Sequence, residues 1–302
     1  MIKTHIPTTI TKQMKEKLLN LETLLFSRII QQDEAIKKLS SALRRSFLLI
    51  GKRKKPLTTF LLLGPTGVGK TETAKVIAQV FFSDQQKYLL RFDMSEFQSK
   101  YDIPKLIGDS TNPGFLTQTI REQSYGVLLL DEIEKADKDL INIFLTIIDE
   151  GYFVDGQGKR VDCKNLIIIA TSNAGSDMLY KQSTVEDTLR NNELINYLVE
   201  KRIFSPEFLN RFDGVITFQP LNKEAINILA KRIIDRITID IYKLYKVKII
   251  VSEKTLEAIS QKGYDPRFGA RNLERTIRDE IEDKAAKLIF ENKAKPGETI
   301  RL

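Results

Sequence analysis

Residue types that carry much of protein chemistry are scarce in this sequence. Cys163 is the only cysteine, His5 is the only histidine, and there is no tryptophan. A single cysteine excludes an internal disulfide and suits a reducing compartment, so we expect a cytoplasmic protein. A single histidine excludes histidine-based metal sites and the Ser-His and Cys-His arrangements of covalent catalysis. Any chemistry must therefore be carried by other side chains.

Long apolar runs are also missing. No run approaches the roughly 18 residues that cross a bilayer, and the N-terminus has no apolar stretch typical of a secretory signal. Hydrophobic residues make up 42% and charged residues 29% of the chain, which is typical of a globular protein. We therefore expect no membrane partner.

The net charge of +8 could attract nucleic acid. However, the densest basic run, residues 52–55, ends at Pro56 and contains no aromatic residues that could stack on bases. We interpret this run as a solvated connector and do not expect nucleic-acid binding.

Short apolar strands alternate with helical stretches along the first two thirds of the chain. This alternation predicts an α/β fold with a parallel sheet whose strands are buried on both faces. The predicted strands are residues 58–64, 87–94, 126–132, 165–172 and 214–220, and clear helices are predicted at 71–82 and 138–150. After Pro220 the pattern changes to a long helix at about 222–245, a strand at 247–251 and two further helices. We therefore predict N-terminal helices and linker at 1–57, a large domain at 58–220 and a smaller C-terminal α/β lid at 221–302.

A glycine-rich phosphate loop lies between the first strand and the following helix. The sequence there is GPTGVGKT, in which the glycines let successive N–H groups and the helix N-terminus face phosphate oxygens. Lys70 is expected to reach the β- and γ-phosphates of ATP, and Thr71 to ligate Mg²⁺. The predicted nucleotide-binding residues are Gly64, Pro65, Thr66, Gly67, Val68, Gly69, Lys70 and Thr71.

Two later strands end in residues suited to hydrolysis of the bound nucleotide. One reads VLLLDE, which predicts that Asp131 joins the Mg²⁺ shell and that Glu132 activates the attacking water. The next ends in ATSN, which puts Asn173 at the same edge of the sheet, where it can hold that water.

Several motifs in order along the chain resemble the second ATPase module of Clp-type unfoldases and disaggregases, which are AAA+ proteins. They are GPTGVGKT (64–71), FDMSEF (92–97), LIG (106–108), LLLDEIEKA (128–136), DGQGKRVD (155–162), ATSNAGS (170–176), SPEFLNRFD (205–213) and GYDPRFGARNLER (263–275). The resemblance covers nearly the whole chain. It implies an ATP-hydrolysing module of a protein-remodelling chaperone that assembles into a ring, expected to be a hexamer.

The resemblance also implies roles for residues that spacing alone would not identify. Arg211 matches the arginine finger that reaches a neighbouring subunit's nucleotide, and Arg271 matches the sensor arginine of the small domain. Ile29 and Ile30 match an apolar pair that cups the adenine. The glycine that follows this pair in the family is Gln31 here, so we expect an altered backbone turn. The chain opens where the family's linker before this module begins, so we expect it to be part of a longer protein.

The substrate-gripping pore loop differs most from the family pattern. The family follows LIG with a long loop that carries a tyrosine, whereas here DSTNPGFLTQ (109–118) is about six residues shorter and Phe115 is its only aromatic. In one alignment Phe115 replaces the gripping aromatic. In the other, which we favour, the loop is deleted and Phe115 packs at the start of the next helix, so that threading by this module is weak. A Phe115 exposed at a loop tip would contradict the favoured alignment.

Partners follow from the same resemblance. Residues 174–204 lack the apolar-Gly-apolar tripeptide that docks a ClpP-type protease, so no such docking is expected. The expected partners are copies of the chain itself and protein substrates. Two alternatives stay open: a nucleic-acid motor or loader, suggested by the net charge, and a regulatory ATPase that threads nothing, suggested by the short loop.

Overall fold

The computed structural model describes residues 11–48, 54–82, 85–181, 187–291 and 293–302. Three features discussed above fall wholly or partly outside these ranges: His5, part of the basic run, and part of the segment that lacks a protease-docking tripeptide. The chain divides into two compact units. The first comprises Met1–Gly64 and Gly69–Phe218, and the second comprises Pro65–Val68 and Gln219–Leu302.

The first unit is built on a parallel five-stranded sheet, which confirms the predicted fold class. Its strands are β1 (Thr58–Leu63), β2 (Leu89–Asp93), β3 (Gly126–Asp131), β6 (Leu166–Ser172) and β7 (Gly214–Thr217). They are ordered β2-β3-β6-β1-β7, so β1 lies between β6 and β7, and β3 lies beside β6. Every residue of β1, β3 and β6 is buried, because helices cover both faces of the sheet.

Fourteen α-helices lie in the described part of the chain. They are α1 (Lys12–Arg28), α2 (Asp33–Leu48), α3 (Lys70–Phe82), α4 (Gln85–Tyr88), α5 (Ile103–Ile107), α6 (Phe115–Glu122), α7 (Lys138–Glu150), α8 (Ser176–Lys181), α9 (Asp187–Glu200), α10 (Pro206–Asn210), α11 (Lys223–Tyr245), α12 (Glu253–Gly263), α13 (Ala270–Ile277) and α14 (Asp283–Phe290). None of them is long and apolar enough to span a bilayer.

The limits of the predicted helices follow from local capping chemistry. Asp137 begins α7 by accepting the N–H of Asp139 at 2.9 Å, and Gly151 ends it with φ 71°. Asn222 begins α11 by accepting the N–H of Ala225 at 2.8 Å. Such caps can be read from sequence because they involve residues that lie within one turn of each other.

An antiparallel hairpin that the sequence analysis did not predict follows α7. Its strands are β4 (Tyr152–Val154) and β5 (Arg160–Asp162). Asp155 folds the turn by accepting N–H groups from Gln157 and Lys159, and its other oxygen pairs with Arg121 at 2.6 Å. Strands of three residues are too short to give a period-two pattern, which explains why sequence periodicity did not indicate them.

The second unit has its own small core. Strands β8 (Lys248–Ile250) and β9 (Thr299–Arg301) pair in parallel, and their central isoleucines pack with Val247 and Ala285. The sequence predicts two helices between these strands. The structure has α12 and then one continuous helical run, because a π-helical turn at Arg278–Glu282 joins α13 to α14.

Candidate functional site

The phosphate loop lies between β1 and α3, as its sequence predicts. Gly64, Gly67 and Gly69 have φ values of 136°, 74° and 108°, which are in the region that favours glycine. A side chain at Gly64 would also be excluded by packing, because its Cβ would lie 2.4 Å from the Phe218 carbonyl oxygen. Helix α3 begins at Lys70, so the N–H groups of its first turn lie next to the loop, at the end of the helix that suits an anion.

Lys70 is held inside the site rather than in solvent. It is buried, and its Nζ donates to the Gly64 carbonyl oxygen at 2.5 Å and to Asn173 Oδ1 at 2.8 Å. A buried ammonium group needs such acceptors, because its desolvation is otherwise costly. The structure therefore joins the phosphate loop to the strand that ends at Ser172, although Lys70 and Asn173 are 103 positions apart in sequence.

Asn173 also connects Lys70 to Glu132. Its Nδ2 donates to Glu132 Oε1 at 3.1 Å, while its Oδ1 accepts from Lys70. Only this orientation of the amide satisfies both neighbours, because Lys70 is a donor and an ionised glutamate is an acceptor. The three residues predicted from separate motifs thus form one hydrogen-bonded chain.

Glu132 has a left-handed backbone, with φ 56° and ψ 49°. This conformation costs a non-glycine residue roughly 1–2 kcal/mol and is concentrated at functional sites. The Glu132 N–H donates to Thr171 Oγ1 at 3.3 Å, which helps to hold the turn. As a result, the carboxylate leaves the strand end towards Asn173 instead of following the course of β3.

Asp131 is buried at the end of β3 and has partners on both oxygens. Its Oδ1 accepts from Thr71 Oγ1 at 3.3 Å and from Thr171 Oγ1 at 2.9 Å. Its Oδ2 accepts from Arg91 Nε at 2.6 Å. The predicted pair Thr71 and Asp131 is therefore brought together, and two residues that the sequence analysis did not single out complete the arrangement.

Arg91 and Thr171 come from the two strands that flank β3. In the parallel register Asp93 pairs with Asp131 and Ala170 pairs with Leu130. Because side chains alternate between the faces of a strand, Arg91 and Asp93 lie on the same face of β2. Asp131 is the register partner of Asp93, so Arg91 lies on the face from which it can reach Asp131. A polar residue in an otherwise apolar strand could have been recognised as a signal, but only once the order of the strands was known.

The donor set fits a nucleotide-bound Mg²⁺ ion. A hydroxyl oxygen and a carboxylate oxygen lie side by side on Thr71 and Asp131, and oxygen is the ligand that Mg²⁺ prefers. No group of three or more His, Cys, Asp or Glu side chains that could hold a metal occurs in the described ranges. Mg²⁺ that is bound through one carboxylate also relies on water and on substrate phosphates, so these residues suit Mg-ATP rather than a free ion.

The predicted adenine-side residues lie at the end of α1. Ile29 is buried, and its Cγ2 lies 3.3 Å from the position of a Cβ built on Gly69, whereas Ile30 is partly exposed. The turn after this pair stays a prediction, but the backbone at Gln31 is unusual for a glutamine. Gln31 has φ 63°, so it adopts the left-handed conformation that a glycine would supply, at some cost in strain.

The two predicted arginines occupy different positions. Arg211 follows α10, where its guanidinium pairs with Asp149 at 2.9 Å and with Glu207 at 2.8 Å. Within the described part of the chain it has no hydrogen bond to the Lys70–Asn173–Glu132 chain. Arg271 is exposed in the first turn of α13. In the second unit, the N–H of the preceding residue, Ala270, donates to the Gly67 carbonyl oxygen at 3.1 Å.

The prediction that Phe115 packs at the start of a helix is wrong. Phe115 is the first residue of α6, but 66% of it is exposed. The buried residues of α6 are Leu116, Thr117 and Ile120, and the 100° step between helical residues places Phe115 outside that face. It instead lines one side of a cavity of about 630 Å³ along the free edge of β2.

The shortened loop before α6 is folded onto itself. Asp109 Oδ1 accepts the N–H groups of Thr111 and Asn112 at 2.7 and 2.8 Å, and it also accepts the Thr111 hydroxyl. These hydrogen bonds, the Thr111 hydroxyl above all, hold the pKa of Asp109 below its usual range. The base of the loop is closed by glycines, since a Cβ on Gly114 would lie 2.2 Å from the nitrogen of Gly108. The loop is therefore compact, and Phe115 follows it directly.

Two protein-family models match this chain, one over each of its two parts. Residues 55–215 match the model described as AAA domain (Cdc48 subfamily), and residues 221–302 match the C-terminal, D2-small domain of ClpB protein. The chain is similar to the chaperone protein ClpB of Rickettsia felis, with 42% identity over 97% of this chain and 35% of that protein. It is also similar to ClpB of Vibrio vulnificus, with 40% identity over 95% of this chain and 34% of that protein.

A solved structure shares the fold. The structure described as a closed state of Hsp104 with ATPγS and FITC casein matches with a TM-score of 0.85 and 32% identity, over 98% of this chain and 52% of that chain. The present chain spans about a third of the length of the curated relatives named above.

Proposed function

This chain belongs to the AAA domain family, in its Cdc48 subfamily, and we propose that it couples ATP hydrolysis to the remodelling of protein substrates as the second module of a Clp-type chaperone. As a module of this kind it is an ATPase whose cofactors are ATP and Mg²⁺. The rival interpretation as a nucleic-acid motor is not favoured, because the relatives are chaperones.

The observation that carries the proposal is the hydrogen-bonded chain from Lys70 through Asn173 to Glu132. In the proposed roles, Lys70 binds the β- and γ-phosphates, and Thr71 and Asp131 hold Mg²⁺. Glu132 removes a proton from the attacking water, which the amide of Asn173 helps to orient. These hydrogen bonds support the proposed roles, because they place Lys70, which binds phosphate, and Glu132, the general base, on opposite sides of the Asn173 amide.

Substitutions at Lys70 and at Glu132 should separate nucleotide binding from ATP turnover. We expect Glu132→Gln to keep MgATP affinity and to lower turnover by about 100-fold or more, because the general base is lost. Lys70→Ala should instead weaken nucleotide binding, measured with a fluorescent ATP analogue. Glu122→Gln is the matched control, because Glu122 is exposed and, among the described residues, its side chain hydrogen-bonds only to Gln118. Near-normal ATP hydrolysis by Glu132→Gln would contradict the proposed role of the Glu132 carboxylate.

We further propose that the module acts in a ring, expected to be a hexamer, in which Arg211 completes the site of a neighbouring subunit. The ion pairs with Asp149 and Glu207 support this role, because they fix the direction of a guanidinium that remains 38% exposed at the surface. Arg271 is proposed to contact the nucleotide of its own subunit, and Ile29 and Ile30 to contact the adenine.

Protein substrates are proposed to meet the ring at Phe115. Its exposure supports the alignment in which it replaces the family's gripping aromatic, although the compact loop before it reaches less far. We propose a cytoplasmic location and no docking of a ClpP-type protease through this module, as the single cysteine and the residues after Asn173 suggest.

A further inference from the structure

A second glutamate, Glu134, lies next to the site without a role in the proposed chemistry. It belongs to the short 3₁₀ turn Ile133–Lys135 that follows β3. Its Oε1 accepts the backbone N–H of Asn173 at 3.1 Å. This contact joins the turn after one strand to the residue after the neighbouring strand, at the point where Asn173 leaves the sheet.

The other oxygen of Glu134 has no comparable function. Oε2 is buried, and it has no hydrogen-bond partner among the described residues. A buried acceptor without a donor destabilises the folded state by about 1–3 kcal/mol. Among the residues that the structure describes, the Glu134 side chain therefore has no ion pair, and its one hydrogen bond is to the Asn173 N–H.

The backbone of Asn173 is held at both of its ends. Glu134 accepts its N–H, and its carbonyl oxygen accepts the hydroxyl of Ser176 at 2.5 Å and, more weakly, the Ser176 N–H at 3.3 Å. Its side chain is the amide that lies between Lys70 and Glu132. If the N–H were released, the peptide could rotate and carry that amide away from both neighbours.

We propose that Glu134 is a positioning residue that acts through Asn173: its carboxylate oxygen fixes the Asn173 peptide and thereby aligns the amide with Lys70 and Glu132. This inference rests on the proposed function for its effect on turnover. The hydrogen bond itself requires only the folded chain. What matters in this role is the acceptor oxygen of Glu134 and not its charge, because glutamine offers the same oxygen at the same distance from the backbone.

The test compares Glu134→Ala with Glu134→Gln in the 302-residue chain. In the absence of nucleotide, amide hydrogen exchange at Asn173, followed by NMR or on peptides that span it, should be faster in the alanine variant and unchanged in the glutamine variant. Under steady-state conditions the alanine variant should lose about tenfold or more in kcat, because small displacements of reacting groups cost this much. The KM for ATP should change by less than about twofold, since Lys70 and the phosphate loop are intact.

Each other outcome counts against the proposal. If Glu134→Gln lowers kcat and speeds hydrogen exchange as much as Glu134→Ala does, the charge of Glu134 matters and not its acceptor oxygen. If alanine lowers only the unfolding temperature, with kcat per folded molecule unchanged, the role is structural. Glu122→Ala, an exposed glutamate away from the site, serves as the control and should change neither measurement. If the wild-type chain itself hydrolyses no ATP, the proposed function fails, while hydrogen exchange at Asn173 still decides the hydrogen-bond part of the inference.

Discussion

Replacing Phe115 by alanine tests how this module contacts substrate, and its neighbour on α6 provides a matched comparison. Phe115 is 66% exposed, whereas Leu116 is fully buried in the same helical turn. Both substitutions remove an apolar side chain from adjacent positions with the same backbone conformation. They differ mainly in burial, so differences between them report what each side chain contacts.

The magnitudes follow from the exposed fractions. Full burial of a phenylalanine side chain stabilises a fold by about 1.5–3 kcal/mol, and Phe115 buries only about a third of its surface, so Phe115→Ala should cost about 0.5–1 kcal/mol. Leu116→Ala leaves a cavity in the core and should cost about 2–5 kcal/mol. Urea unfolding followed by circular dichroism measures both values.

For substrate-stimulated ATP turnover we expect the opposite order, with the larger effect in Phe115→Ala. Phe115→Ala should keep basal ATP turnover and lose the stimulation of turnover by casein, because the exposed ring is the proposed substrate contact. Leu116→Ala, assayed at a temperature where it is folded, should keep that stimulation. A loss of more than about 2 kcal/mol in Phe115→Ala would show that the ring packs in the fold. Unchanged casein stimulation would show that the ring does not grip substrate, and would favour a regulatory ATPase.

Three further predictions follow from the site. Arg211→Ala should lower turnover at high protein concentration without changing the nucleotide affinity of the monomer, and mixing it with Glu132→Gln subunits should restore some activity; mixtures as inactive as either variant alone would argue against a role in trans. Arg91→Ala should raise the Mg²⁺ concentration needed for half-maximal turnover, because Asp131 Oδ2 loses its partner and the carboxylate can turn away from Thr71; an unchanged Mg²⁺ dependence would exclude that role. Gln31→Gly should stabilise the chain by up to about 1 kcal/mol in urea unfolding, because the relief of left-handed strain exceeds the extra backbone entropy that glycine loses on folding; a clear destabilisation would show that the lost contacts of Gln31 outweigh the relief of strain.

Much of the fold is determined locally and could therefore be predicted from sequence. The phosphate loop, the helix that begins at Lys70 and the caps of α7 and α11 each depend on residues within a few positions of one another. The five strands were recognised because burial on both faces requires nearly continuous apolar runs. For the same reason the position of Asp131 and Asn173 at strand ends was predictable.

Other features depend on which strands lie side by side. The sequence places Arg91, Thr171 and Glu134 on or after separate strands, and only the order β2-β3-β6 brings them around Asp131 and Asn173. The short hairpin β4–β5 likewise has too few residues for a periodic signal and is formed through the contacts of Asp155.

The exposure of Phe115 shows most clearly where local reasoning stops. An aromatic residue at the start of a helix is usually expected to pack. In the folded protein the Phe115 ring is exposed, because Leu116 and Ile120 form the face of α6 that meets the core, and a loop closed by Gly108 and Gly114 fixes where the helix begins. Sequence thus determined which groups are available for phosphate binding and hydrolysis. The packing of the elements determined which of those groups meet and which side chain remains in solvent, since both depend on contacts between residues far apart in the chain.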